Sequence, residues 1–138
     1  GAVSNNHNQR KSFGGIGVYW GNKHPNNVSE KFILHPVTNQ RTELYAIIRA
    51  FQAIIKDEIH LDPATKIIIY TDSMYALNII TKRWRARDNL DLVHQAWDLL
   101  KNINNLEINH IRAHTKNKDI HSLGNYMADT LARAGKNS

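Results

Sequence analysis

The chain has 138 residues, 41% of them hydrophobic and 22% charged, a composition typical of one globular domain. It contains no cysteine, which excludes a disulfide scaffold, a cysteine-based zinc site and a cysteine nucleophile. No apolar run approaches the roughly 18 residues of a membrane span, and the polar start does not resemble a signal peptide. We therefore expect a single domain over residues 1–138, a monomer without a membrane partner, and an intracellular location, cytoplasmic or nuclear.

Eighteen Lys and Arg against twelve Asp and Glu give a formal net charge of +6. A surplus of this size favours a polyanionic partner, because each neutralised phosphate releases condensed counterions. Solubility alone is the alternative explanation, since many basic proteins bind no nucleic acid.

The first half of the chain predicts two strands followed by a helix. Residues 12–21 are rich in glycine, aromatic and β-branched residues, which indicates a strand with close backbone neighbours. A turn around Pro25 leads to a second strand over residues 29–37, and we expect the two strands to pair antiparallel. From Asn39 the apolar spacing becomes three and four residues, which predicts an amphipathic helix that ends near Pro63. Its apolar stripe consists of Leu44, Ile47, Ile48, Phe51, Ile54 and Ile55.

The second half alternates strands and helices. Residues 66–73 contain an apolar run typical of a strand covered by helices on both faces, so we expect this strand to be central or nearly so. Helical patterns follow over residues 74–83 and 89–103, then a strand over 106–114 and a helix over 123–134. This order predicts an α/β fold with a mixed sheet flanked by helices. The apolar face of the helix over 89–103 consists of Leu90, Val93, Ala96, Trp97 and Leu100.

Three carboxylates stand where these elements meet. Glu43 lies on the helix stripe that faces the sheet, where an unpaired charge costs several kcal/mol, unless it only caps the helix through the macrodipole. Asp72 ends the predicted buried strand, at the edge where ligands collect in open α/β sheets, or it caps the next helix. Asp129 lies in the last helix, where Arg133 offers a surface ion pair. Together the three acids would form a hard oxygen site suited to magnesium or manganese.

Two further features suit nucleic-acid chemistry. His114 ends the last predicted strand, and an imidazole exchanges protons near neutral pH; His110 and His121 are weaker candidates, and a structural role is the alternative for each. The segment Lys82–Arg87 (KRWRAR) surrounds Trp84 with four basic residues, which could bind phosphates while the indole packs against sugars or bases. A solvated helix end is the alternative explanation for this segment.

In this order, the motifs resemble ribonuclease H of the type 1 class over almost the whole chain. The matching segments are residues 38–44 (TNQRTEL), 71–73 (TDS), 89–92 (NLDL), and His114 followed by 124–129 (GNYMAD). Each motif alone is weak, whereas their order and their placement on helix, strand, helix and helix make a specific joint match. The resemblance implies a ribonuclease H-like fold, with a five-stranded mixed sheet flanked by helices.

The same resemblance implies an endonuclease that hydrolyses the RNA strand of an RNA–DNA hybrid with two magnesium ions, manganese being an alternative. Glu43, Asp72 and Asp129 match three of the family's four catalytic carboxylates, which ligate the metal. His114 matches the family's histidine, which assists proton transfer or product release.

The resemblance also implies where the substrate binds. Asn39, Gln40 and Ser73 match positions around which the RNA 2′-hydroxyl is recognised. Thr38 and Asn89 match positions that bind a DNA phosphate. Two further matches, to an asparagine of the first substrate loop and, within one residue, to a tryptophan that packs on DNA, are Asn6 and Trp84.

Three departures from the family pattern affect these expectations. The family begins with a central strand that ends in Asp-Gly, whose aspartate is the principal metal ligand, whereas this chain starts at residues resembling those just after that pair. We therefore expect the first, central strand to be absent from this chain, through truncation, processing or completion by another peptide, with poor folding and little cleavage. The stretch from His114 to Asp129 is longer than in compact members, which indicates a mobile loop. The basic protrusion of some members is reduced to residues 82–87.

Two rival functions remain open. The missing aspartate favours a ribonuclease H-like module that binds hybrid or duplex without cutting it, or that docks in a larger polymerase assembly with fused or associated domains. A different nuclease or a strand-transfer enzyme on the same fold matches less closely, because TNQRTE and the GN…AD helix fit ribonuclease H better.

Overall fold

The computed structural model describes residues 2–4, 13–20, 27–57, 66–112 and 120–136. Within these ranges the chain alternates strands and helices in the order β-β-β-α-β-α-α-β-α. None of the helices described is long and apolar enough to cross a bilayer. The elements are β1 (Ala2–Ser4), β2 (Phe13–Val18), β3 (Val28–Phe32), α1 (Asn39–Asp57), β4 (Ile67–Thr71), α2 (Met74–Ile80), α3 (Leu90–Leu100), β5 (Leu106–His110) and α4 (Ile120–Lys136).

The order confirms the eight predicted elements and adds β1, whose three residues are too few to show a periodic pattern. The helix predicted over residues 74–83 ends at Ile80 instead. Thr81 closes it, and Lys82 then takes a left-handed conformation with a φ of 63°, as residues just beyond a helix end often do.

The strands form two hydrogen-bonded sheets. The strands β1, β2 and β3 are antiparallel in that order, which confirms the predicted pairing of β2 with β3. The strands β4 and β5 are parallel, with Thr71 opposite His110 at their carboxyl ends. Across the described ranges the five strands are therefore bonded as three plus two, and β4 has β5 as its neighbour.

The two faces of β4 are covered unequally. Ile67 and Ile69 pack against the core, whereas Ile68 and Tyr70 on the opposite face are 40% and 38% exposed. The expectation that helices cover both faces is therefore only partly met. The reason is that α4 packs mainly on β2 and β3, and touches β4 only slightly.

Glycines in β2 allow α4 to pack directly on the antiparallel sheet. Ile16 is fully buried in the core beside α1, while Gly15 and Gly17 alternate to the face covered by α4. A Cβ atom on Gly15 would lie 2.0 Å from the carbonyl oxygen of Ala132, and one on Gly17 would lie 2.2 Å from that of Ala128. The α4 backbone thus occupies the space of two side chains, which confirms the predicted strand with close backbone neighbours.

The predicted stripe of α1 forms the centre of the core. All of its members except Ile55 are buried, together with Phe32 from β3 and the inner faces of α2 and α3. Leu90 is wrongly placed by the sequence pattern, because the buried face of α3 is centred on Leu92, Val93 and Ala96, which leaves Leu90 44% exposed. The core therefore holds α1 between the antiparallel sheet and α3, with the starts of the helices left at the surface.

Candidate active site

Asp72 lies between β4 and α2, at the carboxyl end of the parallel pair. The Thr71 hydroxyl accepts a hydrogen bond from the Ser73 N–H (3.1 Å), and the Ser73 hydroxyl accepts one from the Ala76 N–H (3.0 Å). Ser73 is therefore the N-cap of α2, and the alternative in which Asp72 caps this helix is wrong. The carboxylate of Asp72 has no hydrogen-bond or ion-pair partner among the residues that the structure describes, so its oxygens are available to a ligand.

The end of β5 lies at the same edge as Asp72. The N–H of Ile111 donates to the carbonyl oxygen of Thr71 (2.9 Å), and His110 is exposed beside this bond. His110, the weaker candidate, is thus the histidine placed at this edge. His114 lies outside the described residues, as does Asn6.

Glu43 and Asp129 lie on the two helices that enclose the antiparallel sheet. Glu43 is half-buried in α1, beyond the first turn, which contains no acidic residue, so a macrodipole cap does not account for it. Asp129 lies on α4, as predicted, but its side chain is outside the described part of the chain. Of the three predicted metal ligands, the structure therefore describes the side chains of Glu43 and Asp72. No group of three or more His, Cys, Asp or Glu side chains suited to a metal ion occurs among the side chains described.

The predicted substrate-binding residues that are described lie mostly at helix N-termini. Thr38 caps α1, because its hydroxyl accepts a hydrogen bond from the Arg41 N–H (3.2 Å). Asn39 and Gln40 form the exposed start of the same helix. Ser73 and Asn89 immediately precede α2 and α3. Unpaired N–H groups and the helix dipole make such positions suited to phosphate and hydroxyl oxygens.

Asn89 is held in an unusual conformation. Its φ of 58° and ψ of 31° are left-handed, which costs a residue other than glycine about 1 kcal/mol or more, although asparagine tolerates it best. Its side chain makes no capping bond to α3 and instead donates to the Tyr75 hydroxyl of α2 (2.9 Å). The start of α3 is thereby tied to α2.

An ion pair that the sequence analysis missed joins α1 to α3. Both Nη atoms of Arg41 donate to the Asp91 carboxylate, at 2.8 and 2.9 Å. The Arg41 side chain is only 4% exposed, whereas that of Asp91 is 61% exposed. The hydrogen bond from Arg41 lowers the pKa of Asp91 from 3.8 to about 2, and the same bond raises the pKa of Arg41. Fifty residues separate the partners, so no local spacing in the sequence could reveal the pair.

The basic segment Lys82–Arg87 forms a loop between α2 and α3 rather than the end of a helix. The ammonium of Lys82 lies 4.8 Å from the ring centre of Trp97, whereas Trp84 is 51% exposed. Within the described ranges, the guanidinium groups of this loop have no hydrogen-bond or ion-pair partner. Three arginines and an indole therefore face the solvent together: Arg83, Trp84, Arg85 and Arg87.

Comparison with known proteins points to one family. The family model described as "RNase H" matches residues 1–137. A "Probable ribonuclease H" of Acanthamoeba polyphaga mimivirus is 35% identical over 134 residues, which cover 88% of this chain and 57% of that protein. "Ribonuclease H1" of Homo sapiens is 31% identical over 147 residues, which cover 98% of this chain and 47% of that protein. The chain thus spans about half the length of these relatives.

Solved structures share the fold. The solution structure of the PFV RNase H domain matches with a TM-score of 0.71, over 99% of this chain and 90% of that one, at 19% identity. The crystal structure of a prototype foamy virus protease–reverse transcriptase has the same TM-score, and 20% of that chain is covered. The arrangement of strands and helices is therefore that of a ribonuclease H-like α/β fold. Since the family model also matches almost every residue, the chain belongs to the ribonuclease H family.

Proposed function

We propose that the protein is an endonuclease that hydrolyses the RNA strand of RNA–DNA hybrids with two magnesium ions. The observation that carries the proposal is the state of Asp72. Its carboxylate stands at the carboxyl edge of β4, while Ser73 caps the following helix, so folding of α2 does not use it. A carboxylate kept free at such an edge suits ligand binding. The relatives named ribonuclease H support the same reaction.

Glu43, Asp72 and Asp129 would hold the ions, because carboxylate oxygens are the donors that hard dications prefer. Two magnesium ions supply Lewis acidity to the attacking and leaving oxygens of an in-line displacement at phosphorus. The half-buried position of Glu43 limits the water around its carboxylate, which strengthens its attraction to a cation. His114 would carry a proton to or from the reacting oxygens.

The helix starts would distinguish RNA from DNA. The Ser73 hydroxyl accepts a hydrogen bond from Ala76, which leaves its hydrogen free to donate to a 2′-hydroxyl oxygen. Asn39 and Gln40 are exposed and would contact the same strand. Thr38 and Asn89 would bind a phosphate of the DNA strand, at N-termini whose dipoles favour it.

A cleavage assay with four substrates tests the proposal. An end-labelled RNA–DNA hybrid, duplex RNA, duplex DNA and single-stranded RNA are each incubated with the protein and magnesium, or with EDTA. We expect internal cuts in the RNA strand of the hybrid alone, and none in EDTA, where hybrid binding persists. Binding of the hybrid without product in magnesium would instead support a non-catalytic module. Preferred cleavage of DNA would support a different nuclease on this fold.

The basic loop supplies a second prediction, for binding rather than cleavage. Arg85→Gln is expected to weaken binding to hybrid and to duplex DNA about equally, and to reduce the slope of log Kd against log salt by about 1. Lys101→Gln is the matched control, because it removes one positive charge from an exposed residue at the far end of α3. Binding titrations over a range of salt concentrations give both slopes. Equal losses in the two variants would show that net charge acts, and not the loop.

A further inference from the structure

Side-chain contacts link three helix starts that carry predicted substrate-binding residues. The Thr38 hydroxyl accepts a hydrogen bond from the Arg41 N–H (3.2 Å), and the Arg41 guanidinium pairs with Asp91 at 2.8 and 2.9 Å. Asn89, two residues before Asp91, donates to the Tyr75 hydroxyl (2.9 Å). The starts of α1, α3 and α2 are thus connected in one series. We call the central ion pair the Arg41–Asp91 clamp.

Stability alone does not account for the clamp. Its guanidinium is 4% exposed, and the described residues provide no hydrogen-bond acceptor for its Nε atom. Burying a charge costs free energy that the ion pair only partly returns, and apolar side chains of similar volume often stabilise such a site as well or better. A bidentate pair of two planar groups does provide defined geometry, because both the distance and the orientation of its partners are restricted.

We propose that Arg41 and Asp91 are positioning residues, whose bidentate pair sets the spacing between the substrate-binding starts of α1 and α3. Resting on the proposed function, this inference assigns to the clamp the joint binding of one duplex by Thr38–Gln40 and by Asn89. Asp91 is two residues from Asn89, so a shift of α3 away from α1 would move Asn89 with it. A misplacement of about 1 Å between two contacts to one rigid ligand is enough to lose much of their combined effect.

Two matched variants of α3 test the proposal. Asp91→Asn and Asp98→Asn each remove one negative charge from an exposed carboxylate of the same helix. Charge alone would strengthen hybrid binding in both, because the ligand is a polyanion. We expect Asp98→Asn to bind as well as the wild type or better. For Asp91→Asn we expect KM, and the Kd measured in EDTA, to rise roughly tenfold, with kcat changed by less than about twofold.

Two further variants separate geometry from stability. Asp91→Glu keeps the carboxylate and should recover most of the affinity. The double variant Arg41→Met with Asp91→Leu replaces the pair by apolar side chains, and should keep the melting temperature while the affinity stays low. Asp91 contributes its charge above pH 3.8 and loses it as the pH falls through about 2, so the KM ratio should be constant around neutral pH.

The proposal is wrong if Asp91→Asn changes KM and Kd no more than Asp98→Asn does. It is also wrong if affinity follows the melting temperature across the variants, since the clamp would then be only structural. Wild-type protein that binds hybrid without cutting it would overturn the proposed function, while the Kd series would still decide the role of the clamp. Wild-type protein that does not bind hybrid would overturn both.

Discussion

Asp72→Asn is expected to lower kcat on an RNA–DNA hybrid by about a thousandfold or more, while hybrid binding is retained. The amide has the shape of the carboxylate but lacks the charge that would hold a dication at the carboxyl edge of β4. Ser73, not Asp72, caps α2, and Asp72 has no partner among the residues described, so the fold loses no known contact. We therefore expect the free energy of unfolding to change by no more than about 0.5 kcal/mol.

Single-turnover cleavage of a labelled hybrid, titration of hybrid binding in EDTA, and thermal unfolding measure these three quantities. Asp98→Asn is the control, because it removes the same charge from an exposed site on α3. Its kcat should match that of the wild type. Undiminished turnover by Asp72→Asn would remove Asp72 from the site and leave the proposed reaction without its central ligand.

Gly15→Ala is expected to destabilise the protein by about 3 kcal/mol or more. The added Cβ would lie 2.0 Å from the Ala132 carbonyl oxygen and 2.2 Å from the Lys136 amide nitrogen. Both atoms belong to the backbone, so no change of rotamer relieves the clash, and α4 must move away from β2. Because Asp129 lies on α4, cleavage should fall even under conditions in which the variant remains folded.

Urea unfolding of the variant and the wild type gives the difference in free energy. Ser29→Ala is a graded control at the same interface, because it removes a hydrogen bond of 2.6 Å from Ser29 in β3 to the Leu131 carbonyl oxygen of α4 without adding an atom. Its cost should be about 1 kcal/mol. A stability of Gly15→Ala equal to that of Ser29→Ala would mean that α4 accommodates the methyl group, contrary to the close packing described.

Much of the candidate site could be located from the sequence, because its residues follow recognisable local patterns. The apolar run before Asp72 placed this residue at a strand end, and the structure agrees. The polar start of the α1 pattern placed Thr38, Asn39 and Gln40 at a helix N-terminus. The metal-binding and catalytic roles of Glu43, Asp72, Asp129 and His114 stay predictions, as do the substrate contacts. The division of labour between Asp72 and Ser73 could not be predicted, because aspartate and serine are equally good N-caps.

By itself, the sequence determined the elements that depend on local periodicity. The apolar stripe of α1 and the glycines of β2 are visible because a helix repeats every 3.6 residues and a strand every two. Contacts between distant residues were decided by the tertiary structure alone. Arg41 and Asp91 meet across fifty residues, β4 pairs with β5 while the other strands form their own sheet, and Leu90 faces solvent. Such contacts depend on how whole helices and strands pack together, and neither periodicity nor spacing along the chain carries that information.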